Sequence, residues 1–255
     1  MNLRPKKSLG QHFLRDQNIL RKIALSAGIQ KGDRVIEIGP GEGALTEYLL
    51  SVSDDVCAVE VDPRAVELLR LKFLGLDVRH ADFLSVELDA LLEAGRQHVI
   101  IGNIPYNITS PILFKVMDAG PVFRRAVFLM QKEVAERLVA RPGSKAYGIL
   151  SVQAQLLGTV AYLFDVSRHV FFPKPKVESG VITFTPRESP LEVPTDQLKT
   201  VVRMAFNQRR KKMSNSLKSL IAEHKPDGVS FDLNLRPDQL TPPEFITLTQ
   251  AIFEP

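Results

Sequence analysis

The alternation of strand-like and helix-like segments between residues 33 and 186 is the feature that most constrains the fold. Short apolar runs recur there, and most are followed by a stretch with helical periodicity. Apolar strands separated by helices form a parallel sheet that is covered on both faces. The chain is therefore predicted to have an α/β fold, with strands at 34–39, 55–62, 76–82, 98–103, 125–131 and 179–186 and helices at 43–52, 63–73, 110–120, 132–140 and 148–158.

The composition changes at residues 185–196, a stretch that contains three prolines. Beyond it the pattern is helical, over 196–207, roughly 212–223 and 242–253. A length of 255 residues suits one large domain accompanied by a small one. We therefore expect a first domain over residues 1–187 and a small C-terminal α-helical domain over residues 188–255.

Positive charge is concentrated in two places. Residues 201–220 contain six basic residues and no acidic one, and residues 1–14 add Arg4, Lys6 and Lys7 without an acid. Clustered positive charge is typical of proteins that bind polyanions such as nucleic acid. A solvated helix face is the alternative interpretation, but there acidic residues would normally be interspersed.

Several classes of protein are not favoured by this sequence. Its apolar runs are far shorter than the roughly 20 residues that cross a bilayer, and the basic N-terminus lacks the apolar core of a secretory signal. One cysteine, Cys57, excludes an internal disulfide, and the five histidines lack the spacing of metal ligands. We expect a cytoplasmic protein without a bound metal and without a membrane segment.

A glycine-rich turn follows the first strand, in VIEIGPGEGALT (35–46). Gly39 and Gly41 allow a sharp turn and close approach of a ligand, although such a turn can also be purely structural. The spacing is not G-x-G-x-x-G, no Walker lysine follows, and Glu37 disfavours a pyrophosphate.

Two further acids lie at the ends of the next two strands, Glu60 at the end of the second and Asp82 at the end of the third. Glu60 is suitably placed to bind two ribose hydroxyls. The alternative is an acid at the end of a strand that is simply exposed to solvent. Asp82 could accept from an adenine amino group with Phe83 beside the ring, although alone it would suit a helix N-cap. Together these residues predict a site for an adenosine cofactor without phosphates.

The fourth strand ends in IIGNIPYNITSPIL (100–113). Pro105 keeps Ile104 extended and offers no N–H, so the turn presents two acceptors, the Asn103 side-chain oxygen and the Ile104 carbonyl. Two acceptors suit an –NH₂ donor, and Tyr106 offers a flat face to a planar base. The alternative is a tight turn that caps the strand, with Tyr106 in the core.

In this order the motifs resemble those of the ribosomal RNA adenine N6,N6-dimethyltransferases, in particular the type that acts on small-subunit rRNA. The resemblance covers nearly the whole chain and rests on KKSLGQHFL (6–14), EIGPGEGALT (37–46), VEVD (59–62), ADFL (81–84), GNIPYNITSPI (102–112), FFPKPKVESGVI (171–182) and AFNQRRKKMSNSL (205–217). At position 12 this chain has His where some members have Asn; an imidazole can still donate one hydrogen bond.

The resemblance implies a Rossmann-like class I methyltransferase domain, an N-terminal segment over 1–30 that contacts cofactor and RNA, and an RNA-binding domain over 188–255. It implies S-adenosylmethionine as cofactor, and the candidate cofactor contacts are His12, Leu14, Glu37, Gly39, Gly41, Glu60, Asp82, Phe83 and Asn103. The implied substrate is a pair of adjacent adenosines in a hairpin loop near the 3′ end of small-subunit rRNA, each methylated twice within pre-ribosomal subunits. A role in ribosome assembly is implied as well.

The candidate catalytic residues are Asn103, Ile104, Pro105, Tyr106 and Phe171. Asn103 and the Ile104 carbonyl would hold the adenine amine, with Tyr106 stacked on the base. The family pattern suggests Phe171 or Phe172 for the other face, and we expect Phe172 in the core. RNA phosphates would be bound by Arg209, Arg210, Lys211 and Lys212.

Other functions remain open at this point. An adenine methyltransferase acting on DNA or large-subunit rRNA would use the same turn, and so would one acting on a protein amide. A non-catalytic assembly factor could bind the cofactor as a ligand only. We expect a monomer, since nothing in the sequence indicates an obligate dimer.

Overall fold

A computed structural model describes residues 3–224 and 229–253 of the chain. The chain divides into two compact units. The first contains the chain up to Ala135 together with Ala161–Pro186, and the second contains Glu136–Val160 together with the chain from Arg187 onward.

The first unit is built around a mainly parallel sheet with the strand order β4-β3-β2-β5-β6-β9-β7. β2 pairs in parallel with β3 and β5, β3 with β4, and β5 with β6, whereas β9 runs antiparallel to β6. A separate pair joins β1 and β8. The strands are β1 (Phe13–Leu14), β2 (Arg34–Ile38), β3 (Val56–Glu60), β4 (Asp77–His80), β5 (His98–Asn103), β6 (Arg125–Gln131), β7 (Gly158–Val166), β8 (Phe171–Phe172) and β9 (Ser179–Pro186).

Helices connect the parallel strands, as the sequence predicts, and the Rossmann-like α/β class is confirmed. Local capping explains where two of them begin: Asp16 accepts from the N–H groups of Asn18 and Ile19, and Asp62 caps a helix that starts at Pro63. The helices of this part of the chain are α1 (Gln17–Ser26), α2 (Ala44–Leu50), α3 (Pro63–Lys72), α4 (Thr109–Asp118) and α5 (Lys132–Leu138).

The core of the first unit lies between the sheet and its helices. Val35, Ile101 and Leu129 from the central strands pack with Leu20 and Leu49 from the helices, and all are nearly inaccessible to solvent. Burial on both faces explains why these strands are apolar along their whole length.

Strand β7 is absent from the sequence prediction. It ends the sheet at one edge, next to β9. Up to the buried Val166, its residues alternate between half-buried and exposed, so it is not buried on both faces like the central strands. The sequence therefore predicts a helix that ends at residue 158 and no strand between residues 159 and 178.

The second unit is helical. Its helices are α6 (Ile149–Leu157), α7 (Thr195–Asn207), α8 (Met213–Ser216), α9 (Lys218–His224) and α10 (Pro242–Phe253). They share one core, in which Val152, Val201, Leu220, Phe245 and Leu248 are buried. The helix expected at about 212–223 is interrupted at Leu217.

The two units differ from the expected domains at one point. The expected boundary at residues 187/188 lies one residue from the division after Pro186, but Glu136–Val160 also belongs to the second unit. Helix α6 packs on α7 and α10. Periodicity predicts that residues 148–158 form a helix with an apolar face, but it does not predict which element covers that face. The helix was therefore expected to pack on the sheet of the first domain.

Candidate active site

Residues from four strand ends line one cleft. β2, β3, β4 and β5 end side by side because they are parallel. The predicted residues on this cleft are His12, Gly39, Gly41, Glu60, Asp82, Phe83, Asn103, Ile104, Pro105 and Tyr106. Leu14 and Glu37 line an adjoining cavity, which shares Phe13, Gly39 and Asn103 with the cleft.

The glycine turn is in the left-handed conformation, with φ of 66° at Gly39 and 58° at Gly41. Residues with a side chain rarely adopt this conformation. A Cβ at position 41 would also lie 2.8 Å from the Phe13 ring. The turn therefore requires glycine at position 41, both for its backbone angle and for its close approach to the N-terminal segment.

Glu60 is held rigidly at the end of β3. Its side chain accepts from the N–H groups of Gly41 at 3.0 Å, Val61 at 2.9 Å and Asp62 at 2.8 Å. Burial raises the pKa of Glu60, and these three backbone donors act in the opposite direction. The carboxyl group is thus fixed on the cleft wall, where its remaining lone pairs can accept from a ligand.

Asp82 and Phe83 lie on a loop that is tied to α4. The Lys115 ammonium donates to the carbonyl of Leu84 at 2.9 Å and to that of Val86, and it lies 5.5 Å from the Phe83 ring centroid. Asp82 accepts from the Leu84 N–H, which is the local capping geometry considered as its alternative role. The same residue also lines the cleft, so its local capping does not remove it from the site.

The orientation of the Asn103 amide is fixed by the N-terminal segment. Its Nδ2 donates to the backbone carbonyl of His12 at 3.0 Å. A carbonyl can only accept, so the nitrogen must face His12 and the Oδ1 is turned away from it. The neighbouring Ile104 N–H donates to the Leu129 carbonyl, which anchors the turn to β6.

Tyr106 is held at both of its ends. Its hydroxyl lies 2.6 Å from the Ser179 hydroxyl, and its ring is stacked with the His12 ring at a centroid separation of 5.5 Å. Burial raises the pKa of Tyr106, so the phenol stays neutral. The ring therefore forms a fixed wall of the cleft and does not fill the core of the sheet.

Glu37 is a buried carboxyl group behind the glycine turn. Thr46 donates to it at 2.6 Å, and Glu60 is the nearby like charge. Desolvation by burial is the main cause that raises the pKa of Glu37 to about 8. In the folded protein without a ligand this carboxyl is mainly protonated at neutral pH.

The Glu37 carboxyl should make stability depend on pH. Its pKa rises from 4.5 to about 8 on folding, so between these values the folded state holds a proton that the unfolded state has lost. Stability is then lost as pH rises through this window, by about 1.4 kcal/mol per pH unit. We expect Glu37→Gln to gain stability relative to wild type between pH 5.5 and 7.5 in urea unfolding; parallel curves for the two proteins would contradict the assignment.

The N-terminal segment is bound through Asp62 to the side of the cleft that carries Glu60. This fully buried carboxylate accepts from Gln11 at 3.1 Å and Lys6 at 3.4 Å, and from the Arg64 guanidinium. The hydrogen bonds from Arg64 hold the pKa of Asp62 well below its usual range. The segment containing His12 is therefore fastened to the turn that carries Glu60.

The two phenylalanines of β8 are placed differently from the expectation. Phe171 is 5% exposed and packs in the core with Leu14, and it is not part of the cleft lining; its contact with a base stays a prediction. Phe172, which we expected in the core, is 50% exposed. Side chains alternate along a strand, so neighbouring residues must face opposite ways.

The charge of the cleft is acidic. Its lining residues include the carboxyl groups of Glu60 and Asp82 and, in the part of the chain that the structure describes, neither lysine nor arginine. A phosphate group would find no counter-charge there, whereas a cationic ligand would. The cleft thus agrees with the prediction of a cofactor without phosphates.

Among the candidate RNA-binding residues, Arg209 is engaged within the second unit. Its guanidinium donates to the carbonyls of Lys145 at 2.8 Å and Ser144 at 2.9 Å, and it lies 3.6 Å from the Asp238 carboxylate. Arg210, Lys211 and Lys212 are exposed. Arg209 is therefore a structural clamp on the 144–145 loop.

Four residues that were not predicted from the sequence hold the predicted site residues in place. Ser179 holds Tyr106, Lys115 holds the loop of Asp82, and Gln11 and Asp62 hold the N-terminal segment. Ser179 and Asp62 lie within motifs singled out from the sequence, but their contacts are distant along the chain. For these two residues the available signal was a polar side chain next to an apolar strand; Gln11 and Lys115 carried no such signal.

No helix within residues 3–224 and 229–253 is both long and apolar enough to cross a membrane. The same residues form no cluster of three or more His, Cys, Asp or Glu side chains that could hold a metal ion.

Known proteins are similar in sequence to this chain over nearly its whole length. A protein of Chlorobium phaeobacteroides (strain BS1) named ribosomal RNA small subunit methyltransferase A is 46% identical over 247 residues, which cover 97% of this chain and 93% of that protein. A protein of the same name from Porphyromonas gingivalis is 46% identical over 257 residues and covers 98% of both.

Two solved structures share the fold. A dimethyladenosine transferase from Plasmodium falciparum has a TM-score of 0.80 at 27% identity, over 92% of this chain and 95% of that one. The 23S rRNA methyltransferase ErmE has a TM-score of 0.71 at 28% identity, over 94% and 99% of the two chains. The first unit thus has the fold of class I methyltransferases.

The match to a family model is equally extensive. Residues 2–250 match the model described as ribosomal RNA adenine dimethylase. The glycine turn, Glu60, Asp82 and the Asn103–Tyr106 turn all fall within the matched residues. The chain belongs to the ribosomal RNA adenine dimethylase family and is a methyltransferase.

Proposed function

We propose that the protein uses S-adenosylmethionine to dimethylate the N6 amine of two adjacent adenosines in the 3′-terminal hairpin loop of small-subunit rRNA. Membership of the family supports adenine dimethylation on rRNA. Two relatives at 46% identity are named for the small ribosomal subunit. In this proposal a monomeric enzyme acts in the cytoplasm on pre-ribosomal small subunits and contributes to their assembly.

The cleft fits S-adenosylmethionine chemically, because this cofactor combines an adenosine with a cationic sulfonium and has no phosphate. Glu60 would accept from the ribose hydroxyls, and Asp82 and Phe83 would take the adenine. The remaining part would lie against the Gly39–Gly41 turn, His12, Leu14 and Glu37, in the cleft and the adjoining cavity. When bound, the cofactor supplies an electrophilic methyl group.

The observation that carries the proposal is the fixed orientation of the Asn103 amide. With Nδ2 bound to the His12 carbonyl, Oδ1 is left as an acceptor, and the carbonyl of the next residue, Ile104, would be the second acceptor. Two acceptors would hold both hydrogens of an adenine amine and localise the nitrogen lone pair, which is otherwise delocalised into the ring. Holding the amine in this geometry supplies much of the rate increase.

Asn103 is neutral and needs to remove no proton. It binds the amine and orients it, and the proton leaves to water after transfer. Tyr106 would stack on the base on the side opposite His12. The base must first leave its own stack, which is least costly in a loop.

The second unit would hold RNA phosphates through exposed cations. Arg210 and Lys211 are exposed, and Lys212 donates to the Asn234 side chain at 3.1 Å while remaining exposed. Such contacts position RNA and make its binding depend on salt.

Arg209 and Arg210 are expected to behave differently when each is replaced by alanine. Arg210→Ala should reduce the slope of log Kd against log salt by about 0.7–0.9 and leave stability unchanged. Arg209→Ala should lower the unfolding temperature, because the carbonyls of Ser144 and Lys145 lose their donor. RNA binding titrated over a range of salt concentrations, with thermal unfolding beside it, measures both; equal behaviour of the two variants would contradict the clamp.

The substrate proposal is tested by offering the purified protein S-adenosylmethionine and one of four acceptors: unmethylated small subunits, large-subunit rRNA, DNA or ribosomal protein. Nucleoside mass analysis should find N6,N6-dimethyladenosine in the small subunits. Transfer to another acceptor instead would overturn the small-subunit proposal, and a complete lack of transfer would favour a non-catalytic assembly factor.

A further inference from the structure

We propose that Phe172 and Arg15 form a stacking platform for the nucleotide next to the adenosine that is being methylated. This platform rests on the proposed function, because it requires single-stranded RNA at the cleft. It assigns a binding role to two residues outside the catalytic turn.

Phe172 is a large aromatic side chain on the surface of the protein. Half of its surface is accessible, whereas its neighbour Phe171 is 5% exposed. An aromatic ring that is exposed to solvent beside a binding cleft indicates a surface that a partner covers on binding.

The ring is held in place from two directions. Phe172 pairs with Phe13 in the β1–β8 ladder, and the Arg15 guanidinium carbon lies 4.6 Å from its ring centroid. The Arg15 side chain is 47% exposed, and the carboxylate that it approaches, Glu42, is 3.9 Å away. A ring ordered before binding loses little conformational freedom when a base stacks on it.

The platform is joined to the catalytic turn through the N-terminal segment. The strand partner of Phe172, Phe13, lines the cleft. His12, next to it, has its Nδ1 2.6 Å from the carbonyl of Pro173, and its own carbonyl holds Asn103. A nucleotide on Phe172 would thus lie beside the wall of the cleft rather than within it.

The charge around Phe172 favours RNA over a protein partner. Residues 168–177 contain Arg168, His169, Lys174 and Lys176 and no acid. The Lys174 ammonium lies 3.3 Å from the His169 ring nitrogens, while Arg168 pairs with Glu178. An exposed aromatic ring among cations is the arrangement that binds single-stranded nucleic acid, with the ring stacking a base and the cations contacting phosphates.

The test replaces the ring by a side chain that is apolar but not aromatic. With unmethylated small subunits as substrate, Phe172→Leu should raise KM at least about fivefold, while kcat and the cofactor Kd stay within about twofold of wild type. Phe172→Tyr keeps an aromatic face and should restore KM. Arg15→Gln should raise KM in the same direction as Phe172→Leu.

Phe164→Leu is the matched control. Phe164 also has a cation over its ring, with the Lys22 ammonium 3.8 Å from the centroid, and it is not part of the cleft lining. Its replacement should leave KM unchanged. Thermal unfolding of each variant checks that the protein is folded.

Two results would overturn the platform. An unchanged KM in Phe172→Leu would show that no base stacks there, and a fall in kcat with unchanged KM would place the reacting base on Phe172 instead. Failure of the proposed function is recognised separately, since the wild-type protein itself would then not methylate small subunits.

Discussion

Replacing Asn103 by alanine is expected to lower kcat by about two to three orders of magnitude, the effect of removing one pre-positioned polar contact to a reacting group. The Oδ1 atom is one of the two acceptors proposed for the adenine amine, and its direction is set by the hydrogen bond from Nδ2 to the His12 carbonyl. Without it the amine is bound by the Ile104 carbonyl alone and its lone pair is poorly aligned for transfer.

Asn103→Asp distinguishes two roles of the side chain: accepting a hydrogen bond from the amine, and donating the hydrogen bond that fixes its own orientation. A carboxylate keeps an acceptor but cannot donate to the His12 carbonyl, so this variant should lose nearly as much activity as Asn103→Ala. Single-turnover methyl transfer at saturating cofactor measures both variants. Asn18→Ala, at an exposed asparagine of α1, is the control and should behave as wild type. A wild-type kcat in Asn103→Ala would show that the Asn103 side chain has no part in the reaction.

Replacing Glu60 by alanine is expected to weaken cofactor binding by roughly 10- to 150-fold, which corresponds to the loss of a hydrogen bond to a charged group. The carboxylate is fixed by the N–H groups of Gly41, Val61 and Asp62. In the proposed complex it would therefore accept from the ribose hydroxyls without reorganisation. The same three donors lose their acceptor in Glu60→Ala, and the unfolding temperature should fall as well.

Glu60→Gln distinguishes the two effects. The amide keeps one acceptor oxygen but no charge, so cofactor affinity should lie between those of wild type and Glu60→Ala. Calorimetric titration with S-adenosylmethionine gives the three Kd values, and Glu67→Ala, at an exposed glutamate of α3, is the control. Equal Kd values for wild type and Glu60→Ala would contradict the assignment of this carboxylate to the ribose.

The parts of the site that the sequence predicts are those set by local structure. Glu60 and Asn103 are the last residues of β3 and β5, and Asp82 comes two residues after β4. Parallel strands bring these carboxyl ends to one edge of the sheet. Gly39 and Gly41 were predicted because glycine suits the sharp turn between β2 and α2, where both have a positive φ. Local pattern was sufficient for all five.

The contacts that orient these groups could not be predicted in the same way. Asn103 and His12 are 91 residues apart in the chain, Tyr106 and Ser179 are 73 apart, and Gln11 and Asp62 are 51 apart. Each depends on the tertiary fold.

The same reason explains the division of the chain and the exposure of Phe172. Helix α6 has an apolar face that suits a sheet or a helix equally well, and its packing on α7 and α10 decides the outcome. For Phe171 and Phe172 the sequence shows two adjacent aromatic rings. Pairing of β8 with β1 determines which of them faces the core.

The most direct test of the account is fragment mass spectrometry of small-subunit rRNA after reaction of unmethylated subunits with wild type, Asn103→Ala and Asn18→Ala. We expect four added methyl groups on two adjacent adenosines of the 3′-terminal hairpin with wild type and with Asn18→Ala, and almost none with Asn103→Ala. Methylation elsewhere in the rRNA, or equal methylation by Asn103→Ala, would contradict it.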